Sequence, residues 1–293
     1  MNRSCRSFAT PVRWAALLTL LWGLSGCATL PPPHPGVAVA EDVGRTLLHD
    51  WLAASREHDA LEGVARVRVQ TAGRTLNGTQ ILLAARPDRL RAETLSPFGT
   101  PLLVMAVDGD ELGVWLPGEN LYYGGRATPE NLGRFTQLPL DAADLVDILL
   151  ARPPVMAHRQ LSTFLLPEGG WRIELAAGTR SQQLLFDTHR RLREVRYLQG
   201  DQLQLQLAYS EAGAEPRALP RRIDLELPGQ KTRASLVFTE LATDRLLQPE
   251  LFSLAVPAGA VVVRLDDPPR SEEQGDAPPP LPISEQPVPS GGS

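Results

Sequence analysis

Cysteine is almost absent from this sequence, which has 2 cysteines among 293 residues. Both of them, Cys5 and Cys27, lie near the N-terminus, so the rest of the chain can form no disulfide and hold no cysteine-ligated metal. Long apolar runs are also scarce, because no stretch beyond residue 26 approaches the roughly 20 apolar residues of a transmembrane helix. We therefore expect a domain that its hydrophobic core alone holds together.

Excess positive charge is lacking as well. The chain has 29 Lys and Arg against 34 Asp and Glu, a net charge of −5. Three of those arginines lie in the first 26 residues, which contain no acidic residue, so a chain without them carries 26 minus 34, or −8. This balance argues against nucleic-acid binding and against general electrostatic adhesion to an anionic membrane surface.

The N-terminal segment has the three parts of a secretory signal. Arg3, Arg6 and Arg13 form a basic front, an apolar run of about ten residues extends from Trp14 to Gly23, and small residues precede Cys27. The stretch Leu24 to Cys27 resembles the lipobox of bacterial lipoproteins. We expect removal of residues 1–26 and lipidation of Cys27 with several acyl chains, which anchor stably. An ordinary cleaved signal, or an uncleaved anchor with an incidental cysteine, is the alternative.

Composition divides the remaining chain into three parts. Residues 27–40 contain four prolines within Leu30 to Ala40, and we predict a linker there with neither a helix nor a paired strand. Residues 41–265 are the predicted folded domain. Residues 266–293 are mostly Pro, acidic residues, Ser and Gly without apolar periodicity, and we predict a disordered tail.

Within the domain, apolar periodicity predicts helices over Glu41–Asp59, Thr128–Leu132 and Asp141–Leu150, with Thr128 as an N-cap. Two-residue alternation predicts about six strands between the first two helices and about seven after the third. The fold class is therefore mainly β (α+β): an unclosed antiparallel β barrel or strongly curved sheet, with the helices as a lid on its concave face.

Several short motifs, weak singly, occur in an order that resembles the LolB-type outer-membrane lipoproteins and related periplasmic lipoproteins of the LolA/LolB-like fold. These are Arg86–Arg91, Leu95–Gly99, Ala127–Leu132, Leu138–Leu140 and Phe252–Gly259. The resemblance implies a cavity that accepts the acyl chains of lipoproteins delivered by a soluble periplasmic lipoprotein carrier. It also implies that Phe98 is the apolar residue of the turn that inserts cargo into outer-membrane lipid, although Ser96-Pro97-Phe98 departs from the usual Asn-Pro-Leu.

Inward-facing strand and lid residues are the candidate lipid-binding cavity. They are Leu82, Leu90, Leu102, Val104, Val114 and Leu116 on the strands, and Leu132, Phe135, Leu145, Ile148 and Leu149 on the lid. A completely filled core fits the same alternation. Phe98 lies on a turn, where an exposed apolar side chain indicates an interaction site, unless it folds back into the core.

Catalytic and cofactor signals are lacking. The five histidines have no metal-ligand spacing, and neither Gly-x-Ser-x-Gly nor His-Glu-x-x-His occurs, so we predict no enzyme, no cofactor and no metal. Asp108–Glu111 could bind a cation, but a hairpin turn accounts for it. The basic run from His189 to Arg193 predicts a solvated turn or a lipid headgroup contact.

Two functions follow. The first is a monomeric outer-membrane lipoprotein, facing the periplasm, that binds acylated lipoproteins and releases them into the leaflet. Ala28 is compatible with outer-membrane sorting because an aspartate there favours inner-membrane retention in familiar enterobacteria. The second is an envelope structural or interaction lipoprotein with a filled β core, which recruits a partner through its tail or a sheet edge.

Overall fold

The computed structural model describes residues 36–213, 218–243 and 245–266. The predicted signal, the lipidation site Cys27 and the tail beyond Asp266 lie outside the described residues. The described residues form one compact unit. No helix of the described part combines the length and apolar character needed to cross a bilayer.

Within the described residues, three α-helices and fifteen strands make up the fold. The helices are α1 (Glu41–Ala54), α2 (Pro129–Thr136) and α3 (Ala142–Leu149). The strands of the first half are β1 (Val37–Val39), β2 (Ala60–Thr71), β3 (Arg74–Ala85), β4 (Arg89–Leu95), β5 (Pro101–Asp108), β6 (Glu111–Leu116) and β7 (Leu121–Arg126). Those of the second half are β8 (Gln160–Leu165), β9 (Trp171–Ala177), β10 (Arg180–Phe186), β11 (Leu192–Gln199), β12 (Gln202–Ala212), β13 (Pro220–Leu227), β14 (Thr232–Ala242) and β15 (Val261–Arg264).

All fifteen strands belong to one sheet, in the order β1, β8 to β14, β2 to β7, β15. Every pair is antiparallel except β15, which lies parallel to β7. The two halves of the chain join where β14 pairs with β2, with Leu236 opposite Val67. Because β1 and β15 end the order without pairing with each other, the sheet is unclosed, and the predicted fold class is confirmed.

One face of this sheet carries the core. Alternate residues such as Ile173, Leu184 and Leu207 are fully buried there, together with apolar residues of all three helices. Trp51 of α1 packs edge-on against Phe186 at 5.9 Å between ring centroids, and Phe135 of α2 packs on Tyr123 at 5.4 Å. Burial of each such side chain stabilises the fold by about 1.5–3 kcal/mol, so packing attaches the helices to the inner face.

The helix boundaries follow their capping residues. The Thr128 hydroxyl accepts a hydrogen bond from the Asn131 N–H at 3.3 Å, and Pro129 opens α2, as predicted. Asp141 precedes α3 as its N-cap. The first helix ends at Ala54 rather than at the predicted Asp59, because residues 55–59 are all polar and offer no side chain for burial against the sheet.

Two edge strands correct the sequence analysis. Val37–Val39, inside the predicted linker, pairs with β8, with Ala38 opposite Phe164, so the linker prediction was wrong for these residues. Val261–Arg264 follows the predicted closing turn and pairs with β7. Segments this short carry too little periodicity to signal a strand, and the neighbouring strand supplies their hydrogen bonds.

The folded part also extends past its predicted end. Asp266 accepts hydrogen bonds from the Arg126 N–H at 2.8 Å and from the Asn131 side-chain amide at 3.0 Å. Asn131 is buried, and its amide also donates to the Arg126 carbonyl at 2.9 Å. Asp266 therefore ties the C-terminal end of the fold to the start of α2.

We predict that Asp266→Ala lowers the free energy of unfolding by about 1–3 kcal/mol, because it leaves a buried amide donor with one partner fewer. Denaturant titration of residues 36–293 measures the change. Asp201→Ala, on an exposed turn, is the matched control and should cost less than about 0.5 kcal/mol. Equal stability of the two variants would contradict the assigned role of Asp266.

Candidate functional site

A cavity of about 130 Å³ lies between the helices and the inner face of strands β2 to β5, β13 and β14. Its apolar lining from the sheet is Val67, Val69, Leu76, Leu82, Leu90, Ala92, Leu103, Met105, Ile223, Leu225, Ala234 and Leu236. The lining from α2, α3 and the segment between them, which we call the lid (residues 129–149), is Phe135, Leu138, Leu145, Ile148 and Leu149.

Three polar side chains of the lining, Gln80, Thr94 and Thr136, have hydrogen-bond partners of their own. Gln80 donates a hydrogen bond to the Thr94 hydroxyl at 3.1 Å. The Thr136 hydroxyl donates to the Leu132 carbonyl at 2.9 Å. With these groups paired, the cavity presents a largely apolar surface, which suits an aliphatic ligand.

The structure places six of the eleven predicted cavity residues in this lining. They are Leu82, Leu90, Phe135, Leu145, Ile148 and Leu149. Val114, Leu116 and Leu132 are buried in the adjoining filled core, so they do not line the cavity. The predicted binding role of all these residues stays a prediction.

Leu102 and Val104 were assigned to the wrong face of β5. Ala92, which lines the cavity, pairs with Met105 on the neighbouring strand. Met105 and Leu103, two positions away on β5, therefore face inward. Strand β5 is apolar on both faces because the 3-10 turn Pro249–Phe252 packs near its outer side, so alternation could not identify the inner one.

Sequence reasoning missed the lining from β2, β13 and β14. The alternation of these strands was visible, as in Ile223 and Leu225 against Arg222 and Asp224. What the sequence did not show was that β14 pairs with β2, which brings these inner faces opposite the lid.

Hydrogen bonds attach the lid and the segment after it to the sheet. Tyr209 donates to the Ile148 carbonyl at 3.3 Å, and Tyr197 donates to the Pro154 carbonyl at 2.6 Å. The fully buried Gln182 donates to the same Pro154 carbonyl and accepts from the Met156 N–H, both at 2.8 Å. Burial raises the pKa of both tyrosines, so they remain neutral donors.

Acidic groups of α3 lie at the rim of the lid. Asp147 forms an ion pair with Arg86 of the β3–β4 turn, and both side chains are largely buried. Burial raises the pKa of Asp147, against the opposing effects of Arg86 and Arg152. Burial raises the pKa of Asp144 too, and there the neighbouring Asp141 and Asp147 add to the rise.

A hydrogen-bonded turn joins β4 to β5. The Ser96 hydroxyl oxygen accepts hydrogen bonds from the Phe98 N–H at 3.2 Å and the Thr100 N–H at 3.1 Å, and the Ser96 N–H donates to the Thr100 carbonyl at 2.8 Å. Gly99 takes the positive φ of +82° that closes the turn. Phe98 at the apex is 95% exposed.

The other candidate sites have structural partners. Asp108 accepts a hydrogen bond from Arg89 at 2.8 Å and pairs with Glu111 across a hairpin turn, which fits the turn interpretation. Arg191 donates to the Gly213 carbonyl at 3.1 Å. Within residues 36–213, 218–243 and 245–266, no three His, Cys, Asp or Glu side chains are placed to hold a metal ion.

No protein-family model and no curated protein matches this chain. Among solved structures, it is similar to a DUF1329 family protein from Desulfovibrio piger, with 13% identity, a TM-score of 0.49 and coverage of 73% of this chain and 97% of that one. It is also similar to a LolA superfamily protein from Nitrosomonas europaea, with 11% identity, a TM-score of 0.45 and coverage of 72% and 97%.

A domain from Vibrio parahaemolyticus, assigned as an outer membrane lipoprotein-sorting protein, is a third similar structure, with 11% identity, a TM-score of 0.45 and coverage of 73% and 97%.

We predict that Asp144→Asn stabilises the protein at pH 7. The raised pKa means that the folded state binds the Asp144 proton more tightly than the unfolded state, so the ionised carboxylate destabilises the fold above that pKa. The advantage of the variant should shrink as the pH falls towards 3.8, where wild type is also protonated. Thermal unfolding across this range measures it, with the exposed Asp201→Asn as control. A stability difference that does not change with pH would contradict the interpretation.

Proposed function

We propose that this protein is an outer-membrane lipoprotein that binds acyl chains of lipoproteins in the cavity under the lid and helps to insert them into the outer membrane. The supporting observation is that a single hairpin, β4 with β5, contributes both to the lining of the cavity and to an exposed apolar tip. Leu90, Ala92 and Met105 of β4 and β5 line the cavity, and the tip of the same hairpin exposes Phe98.

Transfer of an acylated protein from a carrier to a membrane breaks no covalent bond, so this function needs no catalytic group. It needs an apolar surface that is shielded from water until cargo arrives. The lid provides the shielding, because its apolar residues cover the inner sheet face. Acylated lipoproteins, a periplasmic carrier and outer-membrane lipid are the partners that this function requires.

Entry of a whole acyl chain requires movement of the lid. The cavity of about 130 Å³ is well below the roughly 300–1,000 Å³ of most ligand pockets. The ion pair of Arg86 with Asp147 is at the lid rim and would break or shift on opening. We therefore take the described conformation as the closed state of the lid.

An envelope interaction protein is the second candidate, and the small cavity volume favours it. In that case the wild-type unit has no saturable affinity for acyl chains, and the tail after Asp266 or a sheet edge recruits the partner. Removing the residues after Asp266 separates the two functions, since lipid binding should survive the cut and tail-mediated recruitment should not.

We predict that residues 36–293 bind a fluorescent fatty-acid probe saturably and that Ala92→Leu weakens this binding about tenfold, because the added side chain fills the cavity. Displacement of the probe by unlabelled fatty acid measures the affinity. Ala143→Leu adds the same atoms to the exposed side of α3 and should leave the affinity unchanged. Absence of saturable probe binding by the wild-type unit would favour the second candidate function, an envelope interaction protein.

We predict that Phe98→Glu reduces insertion of acylated cargo into outer-membrane vesicles about tenfold or more, because a charge replaces an apolar wedge. Transfer of a labelled lipoprotein from its carrier measures insertion. The control is Leu246→Glu, since Leu246 is 96% exposed on a different segment. Both variants should unfold like wild type. Normal delivery by Phe98→Glu would overturn the role assigned to the turn.

A further inference from the structure

A groove of about 1060 Å³ runs along the outer face of the sheet, opposite the cavity, and ends beside the Phe98 turn. Its charged lining consists of Arg66, Arg68, Arg222, Arg233, Asp224 and Glu226. With four arginines and two carboxylates, the groove carries a net charge of +2, although the whole chain carries −5. The groove is therefore a local positive site on an acidic protein.

The two carboxylates already have partners. Arg222 donates two hydrogen bonds to Asp224, at 2.7 and 2.9 Å, and Arg233 donates one to Glu226 at 2.8 Å. Arg66 and Arg68 are exposed, and their side chains make no hydrogen bond or ion pair with any residue that the structure describes. The positive charge of the groove is thus concentrated on this pair.

Strand register places polar groups around the pair. Arg68 lies between Asn77 on β3 and Ser235 on β14. Arg66 lies opposite Thr79 on β3. Two positions apart on one strand face, the arginines are separated by roughly 7 Å along the chain. Their planar guanidinium groups, together with neighbouring hydroxyl and amide donors, match the oxygens of a phosphate group.

The pair is also in register with the Phe98 turn. Arg66 on β2 lies opposite Thr79 on β3, and Thr79 lies opposite Leu95 on β4, so the three form one row across the sheet. Leu95 leads directly into the turn, and Ser96 and Pro97 line the groove with it. The hydrogen-bonded turn therefore joins an exposed apolar tip to a cationic groove.

We propose that Arg66 and Arg68 bind the phosphate of an anionic phospholipid headgroup when the Phe98 turn meets a membrane. The inference deepens the proposed function and rests on it. An apolar tip that enters the acyl region beside arginines at headgroup level is the arrangement that amphipathic membrane contacts use. The negative charge elsewhere on the chain restricts this attraction to one orientation, with the hairpin tip towards the bilayer.

The test compares binding of residues 36–293 to vesicles of phosphatidylcholine alone and of phosphatidylcholine mixed with phosphatidylglycerol. We expect the double variant Arg66→Gln with Arg68→Gln to lose about thirtyfold in affinity for the anionic vesicles and little for the neutral ones. Added salt should weaken binding of wild type more than that of the variant.

The matched control is Arg159→Gln with Arg180→Gln, which changes the net charge equally at two exposed arginines, one just before β8 and one at the start of β10. It should bind like wild type. Equal losses in both double variants would show general electrostatic attraction and overturn the assignment to the groove. Unchanged binding by the Arg66 and Arg68 variant would overturn it too.

Glycerol phosphate tests the source of the phosphate. If glycerol phosphate displaces the protein only weakly from the anionic vesicles, the ligand is a membrane lipid. Tight binding of free glycerol phosphate, without preference of the protein for those vesicles, would overturn the proposal.

The outcome is separable from the proposed function. If cargo insertion depends on Phe98 and the arginine variant binds vesicles normally, only the groove assignment fails. If vesicle binding depends on the arginines and Phe98→Glu delivers cargo normally, the proposed function fails.

Discussion

The pairing of β14 with β2 is the contact on which the rest of the architecture depends. It joins Arg233 to Gln70 across more than half the chain, at the cost of closing a long loop. Without it, β8 to β14 and β2 to β7 would be two separate curved sheets. The cavity lining requires both, since Leu236 and Ile223 come from one half and Leu82 and Leu90 from the other.

Much of the fold was readable from the sequence because its signals are local. Thr128 and Pro129 marked the start of α2, and strand alternation gave the order of six and then seven strands around the last two helices. Pairing between distant strands leaves no such local signal. The sequence therefore identified Leu82 and Phe135 as cavity residues but missed Ile223 and Leu236, whose place depends on β14 meeting β2.

The errors in the site have a physical origin too. Alternation identifies an inner face only where the outer face is polar, and β5 is covered on both sides. The odd and even positions of β5 therefore looked alike in the sequence, and Leu102 and Val104 were assigned to the wrong face. By contrast, the exposure of Phe98 follows from its turn, since Ser96 and Gly99 fix a backbone that projects the side chain away from the sheet.

The lid and the Phe98 turn are held in place by different interactions. Apolar packing holds the lid on the sheet, with the Tyr209 hydrogen bond to Ile148 and the ion pair of Arg86 with Asp147 as polar contacts. Burial raises the pKa of Asp144, so its ionised form disfavours the folded state. The turn is instead fixed by several short-range hydrogen bonds on paired strands. If the lid opens as proposed, the Phe98 tip keeps its position, because the hairpin that carries the tip belongs to the sheet and not to the lid.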